Sequence, residues 1–273
     1  MGTAMGTAAD RGLRQGDALT LPRRLLRRLR RVADLLGFSA RRCLRCGAAF
    51  TPGRNDGTAD GLLCAACLAQ LPPMKGPRCR RCAFPFPDSA PAAPALCGDC
   101  LRDPPPWQGM ACYGRYEGVL RDMLLELKFH GRFLLADALA PLLLDSLLCL
   151  PLPDALVPMP LPLPRLRRRG YNQVQELALA AGYLLELPVR PELLLRPSCD
   201  TPQSRLRARE RRRNLHGSFV ASPDAAGLRL WLLDDIFTTG STARAAAQAL
   251  LTAGAQRIDL VTLARTPLHP AGR

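Results

Sequence analysis

The sequence predicts an α/β chain, a mainly parallel sheet flanked by helices, preceded by a smaller cysteine-rich segment. Three observations predict it. From Trp107 onward, short apolar runs alternate with stretches of helical period. Before that point, eight of the eleven cysteines fall as four C-x2-C pairs. Late in the chain, an apolar strand runs into a hydroxyl-rich turn that opens a helix. With 273 residues, 48% of them apolar, the chain can bury one full core and a small second unit, which excludes a peptide scaffold and a disordered tail.

Three regions are expected. Residues 1–36 read as a tail followed by a basic amphipathic helix, with Leu25, Leu29, Val32 and Leu36 at helical spacing and arginines at 23, 24, 27, 28, 30 and 31. Such a helix suits contact with nucleic acid or an anionic membrane surface, and equally suits docking on its own protein with a solvated arginine face. Residues 37–104 hold the cysteine pairs, and Pro104-Pro105-Pro106 marks the boundary to a domain over 105–273. In that domain strands are expected at Met110–Tyr116, Leu156–Met159, Leu193–Leu195, Phe219–Val220, Leu228–Leu233 and Ile258–Leu263. Helices are expected at Gly118–Lys128, Leu134–Leu150, Asn172–Leu187 and Thr242–Ala253, with a proline-rich turn at 160–164 and a polar loop over Pro197–Arg213.

The cysteine pairs are Cys43/Cys46, Cys64/Cys67, Cys79/Cys82 and Cys97/Cys100. Two thiolates three positions apart on a tight knuckle can reach one tetrahedral Zn²⁺ at about 2.3 Å each, and a second knuckle completes the site. Four pairs predict two structural zinc ions with no open position, in a segment too small to fold on apolar burial alone. Sequential pairing of the knuckles is the preferred reading, and an interleaved order would use the same residues. Cys112, Cys149 and Cys199 read as ordinary small residues or exposed thiols.

The segment with most chemistry is Leu230–Thr242. An apolar strand leads into Asp234 and Asp235, then into Thr238, Thr239, Gly240, Ser241 and Thr242 at the start of a helix. Turn amides and a helix N-terminus bind phosphate, Gly240 lets backbone approach closely, and the hydroxyls add donors. Carboxylates beside a phosphate nest would repel it unless they face sugar hydroxyls or a metal held by that sugar. Phosphate and diol together describe a ribose 5-phosphate.

This segment closely resembles the phosphoribosyl pyrophosphate (PRPP) signature of type I phosphoribosyltransferases, in which the acid pair contacts the ribose hydroxyls and the loop holds the 5-phosphate. More of the chain resembles the ComF family of competence-associated, phosphoribosyltransferase-like proteins, over about residues 40–266. The resemblance rests on the knuckles, Gly76–Cys79, Tyr116-Glu117-Gly118, Leu127–Arg132, Val157–Leu161, Arg169–Gln173 and Arg211–Leu215. It implies a double zinc ribbon joined to a type I phosphoribosyltransferase-like domain. It also implies a pyrophosphate loop at Met159, Pro160 and Leu161, with Arg165, Arg168 and Arg169 to neutralise a diphosphate. The polar stretch resembles a flexible loop that closes over PRPP, with Arg205, Arg209 and Arg213 on it. Residues 158–213 hold twelve arginines against five acids. Thr238 stands where oxopurine transferases place an Asp as proton acceptor, so oxopurine salvage is disfavoured. His130 is a weak catalytic candidate; His216 and His269 are weaker still.

The expected ligands are therefore PRPP with Mg²⁺, which would come mainly with the diphosphate. The net charge of +15 suits anionic partners, and the resemblance implies single-stranded DNA and proteins of the DNA-uptake machinery among them. Either phosphoribosyl is transferred with release of pyrophosphate, or the fold is a non-catalytic PRPP sensor that binds DNA or a partner. No run reaches the length of a membrane span and no secretory h-region is visible, so the expectation is a cytoplasmic protein without stable membrane insertion.

Overall fold

A computed structural model describes residues 32, 41–51, 61–87, 95–197 and 219–267. The basic amphipathic helix (apart from Val32), Arg205, Arg209, Arg213, Cys199, His216, His269 and the segment Arg211–Leu215 lie outside the described residues. Residues from Arg41 onward form one compact unit.

Among the described residues four parallel strands make the central sheet, in the order β3 (Gly109–Arg115), β8 (Arg257–Arg265), β7 (Arg229–Phe237) and β4 (Ala155–Pro158). In register, Met110 faces Leu260, Leu232 faces Leu260 from the other side, and Val157 faces Leu232. Ile258–Arg265 are all buried, as a strand covered on both faces requires, and this is why the strands read as continuous apolar runs.

The remaining elements explain themselves locally. Helix α3 (Gly118–Phe129) buries Leu120, Met123, Leu124 and Leu127, a stripe at helical spacing. Helix α4 (Leu134–Leu147) packs against α6 (Gln173–Leu185) and against β3 and β8, while α6 also covers β4 and β7. Asn172 caps α6 by accepting the Val174 amide at 3.0 Å. Helix α7 (Ser241–Thr252) lies against β7, β8 and the antiparallel pair of β5 (Leu194–Leu195) and β6 (Val220–Ala221).

Three expectations are corrected. The proline-rich turn at 160–164 ends early, because Leu163–Arg169 form a helix, α5. Pro162 and Pro164 sit at its N-terminus, where a missing amide costs no helical hydrogen bond. The strand expected to stop at Leu233 continues as β7 through both acids to Phe237, paired residue by residue with β8. The strand placed at Phe219–Val220 is shifted by one residue, to Val220–Ala221.

The cysteine segment is a repeat in space. A short hairpin, β1 (Arg41–Arg42) with β2 (Ala49–Phe50), carries the first knuckle, and the second caps helix α1 (Ala65–Leu68). An Arg78–Pro85 bridge flanks the third knuckle, and the fourth caps helix α2 (Gly98–Arg102). In both hairpin knuckles the residue after the second cysteine returns its amide to the first cysteine's carbonyl at 2.9 Å, from Gly47 to Cys43 and from Ala83 to Cys79. Both residues take positive φ, +73° at Gly47 and +53° at Ala83.

Candidate metal centres and phosphate-binding site

The knuckles pair sequentially. Sγ atoms of Cys43, Cys46, Cys64 and Cys67 all lie within 4.8 Å of one another, as do those of Cys79, Cys82, Cys97 and Cys100. Cys46 and Cys64 stand 3.8 Å apart and Cys82 and Cys97 3.5 Å apart, close to the sulfur–sulfur edge of about 3.8 Å that Zn–S bonds of about 2.3 Å impose. Burial would push the Cys43 thiol up, but the amides of Cys46, Cys64 and Arg45 hold it down to about 6. Cys79 is held to about 7 against burial by the amides of Cys97, Arg81 and Cys82. Their neighbours go the other way: burial and the Cys79 charge push Cys82 up to about 12, and Cys67 and Cys100 are also raised. Each tetrad thus holds one readily ionised thiol beside raised ones, Cys67 in the first and Cys82 and Cys100 in the second, that ionise only beside a dication, which fits a structural Zn²⁺ in each.

The second tetrad is fastened to the end of the sheet. Trp107 Nε1 donates to the Arg81 carbonyl at 2.6 Å, and its ring meets Phe237 edge-on. Arg265 Nε donates to the Cys82 carbonyl at 2.8 Å, with its guanidinium over the rings of Phe84 and Phe237. Arg244, in the first turn of α7, donates to the carbonyls of Asp103 and Pro104 and pairs with the Asp103 carboxylate at 3.2 Å. Phe237 ends the strand that leads into the predicted phosphate loop.

That loop has the required form. Thr238 and Thr239 are exposed, and Gly240 takes φ +75° as the N-cap of α7. A Cβ on Gly240 would lie 2.9 Å from two atoms of the Phe237 ring, so backbone and ring meet only because no side chain stands between them. Thr239 and Ser241 hydroxyls are 3.1 Å apart at the helix entrance, Thr242 follows in the first turn, and no acidic residue occupies that turn. The amide donors and the helix dipole therefore face an open edge suited to phosphate.

The acids stand on β7 just before this loop, beside β4. The Met159 amide donates to the Leu233 carbonyl at 2.8 Å, which sets the start of the Met159–Leu161 loop next to the acid pair. Ligands of parallel sheets bind at this carboxyl end. Asp235 is buried, accepts Gln173 Nε2 at 2.8 Å and pairs with Lys128 Nζ at 3.2 Å. Asp234 is half-buried, and its Oδ1 accepts the Asp235 amide at 2.9 Å. Burial and then the Asp235 charge push the Asp234 carboxyl up to about 8.

Lys128 and Gln173 are additional site residues beyond the sequence candidates. Both lie in segments that carried the resemblance, Leu127–Arg132 and Arg169–Gln173, yet neither residue type announces a role without the fold. Arg169 donates to Gln173 Oε1 and lies over the Phe129 ring, so of the three arginines at the proposed diphosphate site it alone is tied toward the acids. Burial and its arginine neighbours lower its affinity for the proton it holds. Arg165 and Arg168 are exposed on α5, and Met159 is buried with its carbonyl accepting Asn172 Nδ2 at 3.0 Å. Pro160 and Leu161 are half-buried. His130 caps the C-terminus of α3 and is exposed, two residues from Lys128.

Among the described residues, no helix is long and apolar enough to cross a membrane. Comparison with known proteins agrees with this architecture. Residues 36–101 match the double zinc ribbon domain family. Competence protein F of Haemophilus influenzae is 30% identical over 240 residues, covering 85% of this chain and 100% of that protein. The DNA utilization protein YhgH of Salmonella typhi is 37% identical over 147 residues, covering 52% of this chain and 65% of the relative. Among solved structures, a Bacillus subtilis glutamine PRPP amidotransferase complexed with ADP and GMP overlaps 50% of this chain and 30% of its own, at 14% identity and a TM-score of 0.37, a match too slight to build on. Paired zinc ribbons, a parallel sheet with helices and full-length similarity to a competence protein together make this chain a member of the ComF family.

Proposed function

We propose that the chain binds PRPP with Mg²⁺ at the carboxyl end of β7 and β4, and that it works in DNA uptake or in the use of DNA as a nutrient. One observation carries the ligand: a side-chain-free approach at Gly240 and an acid-free first turn of α7 follow directly on Asp234 and Asp235. The loop receives the 5-phosphate, Asp234 faces the ribose hydroxyls, and Arg169, Arg165 and Arg168 neutralise the diphosphate. Mg²⁺ would travel with the diphosphate, and the half-buried Asp234 carboxylate is the oxygen donor at hand. The biological setting is carried by the relatives' names, competence protein F and DNA utilization protein YhgH.

In the reaction this site suits, pyrophosphate leaves the anomeric carbon through a cation-like transition state that charge stabilises, without a covalent nucleophile. Lys128 pairs with Asp235 next to that carbon, and Gln173 fixes its orientation. A second reading, a PRPP-responsive module that binds DNA or a protein without transfer, is favoured by the same contacts, because Asp235 is already satisfied by its own chain. Calorimetric titration of PRPP and Mg²⁺ into the zinc-loaded protein, with pyrophosphate measured in the same samples, separates them. Saturable binding that Asp234→Ala/Asp235→Ala abolishes, with pyrophosphate released when a base or single-stranded DNA is added, supports transfer; binding without release supports the module. An absence of binding overturns the PRPP assignment.

A further inference from the structure

A cavity of about 160 Å³ opens where the second ribbon meets the carboxyl end of β3 and β8, one strand away from β7. Its walls are Met74, Phe84, Pro85 and Pro267, with Thr266 and two arginines, Arg115 and Arg265. Arg265 is unusual. It is only 6% exposed, yet no carboxylate among the described residues pairs with it. Buried charges are ordinarily paired, because an uncompensated one carries a large desolvation penalty. Here Nε is satisfied by the Cys82 carbonyl and the plane by two aromatic rings, and the side chain forms part of the cavity wall. Arg115 stands exposed at the mouth, also without an acidic partner among the described residues.

A cavity of roughly 150 Å³ holds one six-membered ring. We infer that this cavity binds a pyrimidine nucleotide: the ring enters beside Phe84 and Met74, a ring carbonyl oxygen accepts a hydrogen bond from the Arg265 guanidinium, and Arg115 at the rim takes the phosphate. A guanidinium donor in the wall matches a carbonyl oxygen on a flat base edge, whereas a lone anion would leave the apolar walls facing water. The same chemistry comes from a free nucleotide or from a base in a single strand, where aromatic and arginine faces commonly receive bases. The cavity shares Arg265 with the fastening of the phosphate loop but includes none of the residues proposed to touch PRPP, so its ligand is bound whether or not phosphoribosyl is transferred.

The test is calorimetry on the zinc-loaded full chain with thymidine 5′-monophosphate, deoxyadenosine 5′-monophosphate, inorganic phosphate and a thymidine hexanucleotide. The pyrimidine nucleotide is expected to bind about tenfold more tightly than the purine one or phosphate. Arg115→Ala, at an exposed position, weakens it about tenfold, and Met74→Trp, which fills the cavity, removes the difference between the two nucleotides. A hexanucleotide that binds more tightly and responds to both variants names a DNA strand as the source, and one no tighter than the mononucleotide names the free nucleotide. PRPP titrations of the same variants should match wild type, while Asp234→Ala/Asp235→Ala retains the pyrimidine nucleotide; each reading can thus fail alone. Equal binding of purine and pyrimidine by wild type, or binding indifferent to both variants, overturns the pocket.

Discussion

The two zinc ribbons share a hairpin knuckle, a helical knuckle and four cysteines, but the rest of the protein uses them differently. In the first, Cys43, Cys64 and Cys67 belong to the main apolar core together with Leu63 and Leu71. Arg45 reaches Asp122 and Glu126 on α3, and Arg132 donates to the Leu44 carbonyl. In the second, Cys79, Cys97 and Cys100 form a small cluster of their own with Phe84, Phe86 and Leu96. Besides the Met110 amide on the Arg80 carbonyl and Arg78 on the Cys112 carbonyl, the second ribbon meets Trp107, Arg265 and Arg244, and these three converge on the phosphate loop. A metal site placed within a core supports folding; a site beside a core, hydrogen-bonded to a ligand loop, supports geometry.

If this division holds, Cys67→Ser has the largest effect. It removes a buried ligand from the shared core, one zinc should be lost by native mass spectrometry, and the thermal midpoint should fall by about 10 °C. Cys82→Ser should also lose one zinc but lower the midpoint less, with PRPP binding weakened about tenfold; equal loss of stability in the two variants would break the comparison. Arg244→Ala isolates one fastening without touching zinc, and should weaken PRPP a few-fold with both metals retained, by titration of the purified protein.

The acid pair provides a control that neither tetrad touches. The folded chain binds the Asp234 proton more tightly than the unfolded chain, whose carboxyl titrates near 3.8. This group therefore subtracts from stability as pH rises from about 4 to about 8, and subtracts nothing below the unfolded value. Asp234→Asn should match wild type near pH 4 and exceed it near pH 8 in denaturant unfolding, with PRPP binding lost. The smallest effect belongs to the knuckle repeat. Gly47→Ala should cost about 1 kcal/mol, since its Cβ meets nothing but its φ is +73°. Ala83→Gly should be near neutral, the relief at φ +53° being offset by a buried methyl of about 0.8 kcal/mol.

Much of this architecture is legible in the sequence itself. Chelate spacing is local, so the C-x2-C pairs named all eight ligands, and apolar runs named the sheet strands from β3 to β8. The acid pair and loop were legible because phosphate chemistry concentrates in consecutive residues. What escaped was either tertiary or ambiguous. Prolines at 162 and 164 read as a turn, although the same residues suit a helix start. Lys128 and Gln173 meet Asp235 only because α3 and α6 arrive at one strand end, and no local pattern records that meeting. Ala83 hid the knuckle repeat, since alanine carries no sign of positive φ. The role of Arg265 depends on 183 residues of sequence separation from Cys82.

That separation also bears on the order of assembly. Among the described residues β3 pairs in the sheet with β8 alone, so the first strand of that sheet waits for its last. Each set of zinc ligands spans a short stretch of chain, whereas closing β3 against β8 carries the loop-closure cost of nearly the whole domain. On a ribosome the ribbons can mature early and then hold an unpaired edge until Arg257–Arg265 emerges, and in that interval the chain is most exposed to edge-to-edge aggregation.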